Sequence, residues 1–236
     1  MGEKNHFPKK RQVRTKGEGY SLNGDSWLHP EVEEEAFFEQ KIQAILDKLL
    51  TKRDFLNVVN FYAESDAKQL NLIQYFRALF WLKPDVLMIG EATGLDGCVR
   101  TGIPFTSERI IRSGRLASKI PGARFAIEGD RSERSATVIW GAIETLPKLP
   151  AMWNVFPLHP RDENGRNRTP LDAEIEWGKP ILSAVVDLFP CARIVTVGNT
   201  AKEACLRLGL ATTGHLIHPR RADLFRTQFS ELLSTL

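Results

Sequence analysis

The residues best suited to chemistry follow a short apolar run at 86–89, which is typical of a strand buried on both faces of a parallel sheet. Gly90 and Glu91 come directly after it, and Phe105 and Glu108 lie in the long loop that follows. In open α/β sheets the ligand crevice lies outside the carboxyl ends of the strands. A glycine there lets a ligand approach the backbone, a carboxylate can act as a base or stabilise a cation, and the ring offers a flat apolar face. The loop therefore predicts a ligand site.

Three further apolar runs end in, or contain, polar residues that bind ligands well. Asn154 lies within the second predicted strand, Asn199 follows the third, and His218 follows the fourth. Because the carboxyl ends of parallel strands meet at one edge of a sheet, we expect these residues to share a pocket with the 90–108 loop. An asparagine offers a hydrogen-bond donor and an acceptor, and a histidine can donate to a developing anion without being charged.

Strands and helices alternate along the chain and are joined by short turns. This pattern predicts the α/β class, as a three-layer α/β/α sandwich with a mainly parallel central sheet of about four strands. Strands are predicted at 86–89, 152–156, 194–197 and 215–217. Helices are predicted at 30–49, 55–62, 70–82, 110–120, 135–146, 172–189, 201–208 and 224–233.

The composition is that of one globular unit preceded by a basic arm. With 236 residues, of which 42% are hydrophobic, the chain can bury a substantial core, so we expect a single domain at 24–236 and a flexible arm at 1–23. The net charge of +3 permits an anionic partner without requiring one. No apolar run approaches the ~20 residues of a membrane span, and the first residues lack the apolar segment of a secretory signal. We therefore expect a cytoplasmic protein with no membrane partner.

The cysteines give no sign of a metal centre. Cys98, Cys191 and Cys205 are widely spaced and form no CxxC motif. Neither a disulfide framework nor a metal site is predicted, and we expect no cofactor.

The loop after the first predicted strand resembles motif A of the uracil-DNA glycosylase superfamily. Gly90-Glu91-Ala92 is similar to the opening of that motif in the iron–sulfur enzymes of family four. The end of the loop is similar to that of family five, in Arg100-Thr101-Gly102, Phe105-Thr106 and Glu108. Asn167-Arg168-Thr169-Pro170 and His218-Pro219 then match two later motifs of the superfamily in order and rough spacing.

The resemblance implies a DNA repair glycosylase that flips uracil out of the base stack, hydrolyses its N-glycosidic bond and leaves an abasic site. Phe105 would stack on the extruded ring beside Gly90, and Asn154 would pair with the O4 and N3–H edge of uracil. His218 would donate a hydrogen bond to the developing O2 anion. The partners of the protein would be uracil-containing DNA and free uracil as the product, and a monomer is the expected state.

Two glutamates compete for the carboxylate that stabilises the sugar cation and positions the attacking water. The family four likeness favours Glu91, and the family five likeness favours Glu108. The choice stays open at the level of the sequence, as does the range of deaminated bases, which could extend to hypoxanthine and xanthine.

The chain departs from the superfamily pattern after its His-Pro motif. Arg220 and Arg221 stand where a serine is common, so base extrusion would depend on arginines that contact phosphates or stack. Four arginines are candidates for contact with DNA: Arg100, Arg168, Arg220 and Arg221. The four-cysteine cluster of family four is absent, which argues against an iron–sulfur cofactor.

Two other classes of function stay in contention. A non-catalytic module that recognises damaged or abasic DNA would explain the altered motif A and the arginines. An unrelated enzyme on the same layered fold is a further alternative, although the sequence contains no GxGxxG after a strand, no P-loop and no GxSxG elbow.

Overall fold

Four parallel strands form the sheet onto which the helices pack, in a computed structural model that describes residues 30–51, 54–190 and 192–233. The predicted arm at 1–23 lies outside the described residues. The strands are β1 (Val58–Val59), β2 (Val86–Ala92), β3 (Ala151–Phe156), β4 (His159–Pro160), β5 (Arg193–Val197) and β6 (Gly214–Leu216). The sheet has the order β3-β2-β5-β6, and β1 pairs with β4 apart from it.

The apolar runs of the sequence explain which strands are central. β2 pairs with β3 on one side and with β5 on the other, so Leu87 lies beside both Ala151 and Ile194. A strand in this position is covered on both faces, and every residue of β3 is buried as well. All three pairings in the sheet are parallel, so its carboxyl ends lie at one edge. The predicted α/β class, with a parallel four-stranded sheet flanked by helices, is confirmed.

Nine helices accompany these strands within the described ranges. They are α1 (Pro30–Leu50), α2 (Asp66–Leu82), α3 (Cys98–Thr101), α4 (Glu108–Arg112), α5 (Arg115–Lys119), α6 (Arg134–Ile143), α7 (Asp172–Val186), α8 (Asn199–Arg207) and α9 (Ala222–Leu233). Apolar residues buried between helices and sheet form one contiguous core from Phe38 to Phe229. None of the helices in the described part of the chain combines the length and apolar character that crossing a membrane requires.

Two helix predictions were wrong, and in each case the backbone shows why. The segment at 55–62 is made of turns around the two-residue strand β1, because Asn57 takes a left-handed φ of 57° and the following valines pair antiparallel with β4. The segment at 110–120 is two short helices, which separate at Gly114 with a φ of 79°. Neither a distant strand partner nor a single left-handed residue leaves a periodic pattern in the sequence.

Candidate active site

A cavity of about 300 Å³ lies at the carboxyl ends of the parallel strands, between the loop after β2 and the segment after β6. Six of the residues predicted from the sequence line it: Glu91, Phe105, Asn154, Arg168, His218 and Arg220. Gly90 lies behind the cavity wall, in contact with two of these side chains. Glu108, Arg100 and Arg221 do not line the cavity.

Gly90 lets an amide and an aromatic ring meet across the end of β2. A Cβ atom at this position would overlap the ring of Phe105 and would lie 2.7 Å from Oδ1 of Asn154. Asn154 is 3% exposed, and its Oδ1 has no hydrogen-bond partner among the described residues. A buried acceptor without a partner costs free energy, so this amide is suited to a ligand that brings a donor.

Phe105 is held in a conformation that favours glycine. Its φ is 53°, in the left-handed region. Two side chains fix the turn, since Nε1 of Trp140 donates to the Phe105 carbonyl at 3.1 Å and Oγ1 of Thr101 donates to the Thr106 carbonyl at 2.8 Å. Strain of this kind persists where the surroundings determine the conformation, and it is concentrated at functional sites. The ring is thereby positioned against the cavity before any ligand binds.

His218 lines the cavity, and one of its ring nitrogens accepts a backbone hydrogen bond. Its Nδ1 accepts a hydrogen bond from the backbone N–H of Arg220 at 3.1 Å, so in the neutral ring the proton resides on Nε2. Burial lowers the pKa of His218, and the positive charge of Arg220 lowers it further, while Glu91 acts in the opposite direction. The imidazole is therefore neutral at neutral pH and donates through Nε2–H.

Glu91, near the end of β2, contributes a carboxylate to the same cavity. Two hydrogen bonds hold the segment that follows it. The carbonyl of Thr93 accepts from Nδ1 of the buried His159 at 2.9 Å, and the amide of Leu95 donates to Oδ1 of Asn167 at 3.2 Å. Asn167, which belongs to the Asn-Arg-Thr-Pro motif, therefore joins that motif to the loop after β2.

Glu108 is a structural carboxylate, which corrects its prediction as a cavity residue. It is 1% exposed, and it accepts hydrogen bonds from the backbone amides of Gly129 at 2.7 Å and Arg131 at 3.0 Å. Burial alone would raise the pKa of Glu108, but these bonds and the charge of Arg100 outweigh it, and the pKa lies below its usual value. The carboxylate stays ionised and holds the loop at 129–131 in place.

Of the four arginines predicted to contact DNA, only Arg220 lines the cavity without an ion pair among the described residues. Arg168 lines the cavity, but its guanidinium forms a two-pronged ion pair with Glu174 at 2.6 and 2.8 Å, so it stabilises the loop and is not free for phosphate. Arg100 forms an ion pair with Asp96, in which Nε lies 3.6 Å from Oδ1. Arg220 lines the cavity, and Arg221 is exposed just before α9.

The prediction missed Glu133, a second carboxyl group in the cavity wall. It directly precedes α6, after a polar stretch that has the composition of a surface loop. Burial, with a smaller contribution from the charge of Asp96, raises the pKa of Glu133 to about 7. Its position before a helix was the one signal in the sequence, and that signal says nothing about the cavity.

The described residues contain no group of three or more His, Cys, Asp or Glu side chains placed to hold a metal ion. Cys98 and Cys205 are free and buried, and Cys191 lies outside the described residues.

Comparison with known proteins shows the fold. The structure is similar to wild-type SMUG2 from Pedobacter heparinus, a glycosylase of the uracil-DNA glycosylase superfamily, with a TM-score of 0.55 over 84% of this chain and 94% of that chain. The two sequences are 14% identical. No protein-family model and no curated protein matches the chain. At this identity the likeness concerns the fold, and function has to be argued from the cavity.

Proposed function

We propose that this protein is a monofunctional DNA glycosylase that flips uracil out of DNA and hydrolyses its N-glycosidic bond. The observation that carries the proposal is the meeting of Glu91, Phe105, Asn154 and His218 in one cavity at the carboxyl ends of parallel strands. The likeness of the fold to a uracil-DNA glycosylase superfamily member supports it.

Recognition of the base follows from the two side chains that meet over Gly90. The extruded ring stacks on Phe105. Oδ1 of Asn154, which has no partner among the described residues, accepts the N3–H of uracil, while the amide nitrogen donates to O4. Cytosine presents an acceptor at N3 and a donor at the fourth position, so it is rejected by two mismatched hydrogen bonds.

Bond cleavage uses the other two side chains. The bond between C1′ and N1 breaks with both electrons on uracil, and Nε2–H of His218 donates a hydrogen bond to O2 of the departing anion. The carboxylate of Glu91 stabilises the positive sugar and takes the proton of the water whose oxygen joins C1′. The uracil anion then gains a proton from solvent. Among the two glutamates left open by the sequence, Glu91 is the one whose side chain lines the cavity.

The test is release of free uracil from single- and double-stranded oligonucleotides in the presence of EDTA. We expect metal-independent release and an abasic site that alkali cleaves. Tight binding to abasic DNA without release would instead support the recognition module, which needs no carboxylate beside the sugar. A protein that neither releases uracil nor binds abasic DNA would overturn the proposal.

A further inference from the structure

The Glu133 carboxyl group lies in the cavity wall and has no partner within the part of the chain that the structure describes. Its backbone carbonyl accepts the amide of Thr137 at 2.9 Å, which begins α6. Its side chain is partly buried, and among the described residues it receives no hydrogen bond and forms no ion pair. An ionised carboxylate in this setting is costly, whereas a protonated carboxyl group can serve as a hydrogen-bond donor.

Two glycines in the loop after β2 make room for this group. A Cβ atom at Gly94 or at Gly97 would overlap the carboxyl oxygens of Glu133. Gly94 has no positive φ, so its backbone conformation does not by itself call for glycine. The space taken by the Glu133 side chain is the physical reason for a glycine there, and the carboxyl group is thereby fixed against the loop that also carries Glu91.

The charged surroundings of Glu133 do not favour its ionised form. Asp96, on the adjoining loop, is negative and pairs with Arg100 at 3.6 Å. Cys98 is buried, and burial raises the pKa of its thiol, so the thiol stays neutral. The other titratable or charged groups of the cavity are Glu91, Arg168, His218 and Arg220.

We infer that Glu133 contacts the extruded base and acts in its protonated form, as a hydrogen-bond donor to the departing base. The inference rests on the proposed glycosylase function. Loss of the glycosidic bond leaves negative charge on the base, which a neutral carboxyl group stabilises and a carboxylate repels. Glu133 and Glu91 therefore have opposite tasks, since Glu133 works protonated at the base and Glu91 works ionised at the sugar.

This division of tasks gives base release a dependence on pH that Glu133 sets. Because burial raises the pKa of this carboxyl to about 7, the donor is present below neutral pH and is lost above it. We expect the single-turnover rate of uracil release to fall by about tenfold for each pH unit above neutrality. Glutamine has nearly the same shape and donates at every pH, so Glu133→Gln should abolish this fall.

The experiment is a pH profile of single-turnover uracil release for the wild-type protein, Glu133→Gln and Glu133→Ala. Glu128→Gln is the matched control, because Glu128 is exposed and outside the cavity. We expect the control to follow the wild type, the glutamine variant to keep the wild-type rate at about pH 6 within about threefold and to stay level above it, and the alanine variant to be slow throughout. Affinity for DNA that carries a non-cleavable 2′-fluorinated uracil nucleotide, measured over the same pH range, supplies a readout that does not depend on turnover.

The outcomes separate this inference from the proposed function. Release by the wild-type protein, with the same fall above neutral pH in Glu133→Gln, would overturn the role of Glu133 and leave the glycosylase function intact. Full activity of Glu133→Ala would do the same. Absence of release by the wild-type protein would overturn both.

Discussion

At the scale of single residues, burial and hydrogen bonding separate glutamates that look alike in the sequence. Glu108 accepts two backbone amides, and its low pKa keeps it ionised as a structural anchor. Glu91 lines the cavity. Because the two carboxylates have different surroundings, their removal should affect different properties of the protein.

Substitution of each glutamate by glutamine should therefore separate catalysis from stability. Glu91→Gln removes the charge that we propose lies beside the sugar, and we expect single-turnover release to slow by at least about 100-fold with the melting temperature unchanged. Glu108→Gln weakens the acceptor of two buried amides, and we expect a loss of about 1–3 kcal/mol in the free energy of unfolding. Denaturant titration and single-turnover kinetics measure the two effects. A slow Glu108→Gln protein of normal stability would contradict this assignment.

The residue scale is also where sequence reasoning was weakest. Asn154 and His218 could be selected because each lies within or just after a predicted strand, and Phe105 because it lies in the loop that follows the first predicted strand. The fold brings the ends of these strands to one edge. Glu133 belongs to no periodic pattern, and it reaches the cavity only through the path of the loop before α6. The structural role of Glu108 depends on amides at 129–131, more than twenty positions away, which no local pattern reveals.

At the scale of elements, the end of β2 organises the site. The strands of the main sheet could be predicted because their apolar runs are local properties of the sequence. The small β1–β4 pair could not, since its hydrogen bonds join residues about a hundred positions apart. The close approach of Phe105 and Asn154 over Gly90 likewise depends on the parallel pairing of β2 with β3.

Gly90→Ala tests this organisation. The added methyl group would overlap the Phe105 ring and crowd Asn154, so the aromatic ring and the amide must separate. We expect release to fall by about 100-fold or more, because small displacements of a binding group cost large factors in rate. Gly141→Ala is the matched control, since nothing lies within 4 Å of the added atom and Gly141 is inside α6. Equal activity of the two variants would show that the close approach over Gly90 is not needed.

At the scale of the whole molecule, the proposed function requires cations around the cavity that can bind DNA. The chain carries a net charge of only +3, so a general attraction to DNA is weak and a local positive patch matters more. Arg220 in the cavity wall and the exposed Arg221 beside it supply such a patch. Arg100 is paired with the partly exposed Asp96 and Arg168 with the buried Glu174, so we expect these two arginines to contribute less.

Removal of the two arginines should lower affinity for any DNA sequence. We expect the double variant Arg220→Ala, Arg221→Ala to reduce the slope of log affinity against log salt by about two, roughly one for each phosphate contact. Arg77→Ala serves as the control, because Arg77 pairs with Glu39 between α1 and α2. Fluorescence anisotropy with duplexes at several salt concentrations measures the slope. An unchanged slope would place the DNA-binding surface elsewhere.

The most direct test of the proposed active site is metal-free, single-turnover release of uracil by the wild-type protein and by His218→Ala. Because we propose that Nε2–H of His218 stabilises the departing anion, we expect the variant to release uracil about 100- to 1,000-fold more slowly while it binds uracil-containing DNA almost as tightly. His215→Ala is the control, since that ring hydrogen-bonds to Thr196 and does not line the cavity. A wild-type protein that releases uracil, with a slow His218 variant and a normal His215 variant, is the predicted result. Equal release by all three proteins, or none by the wild type, would contradict the proposal that this cavity is a glycosylase active site.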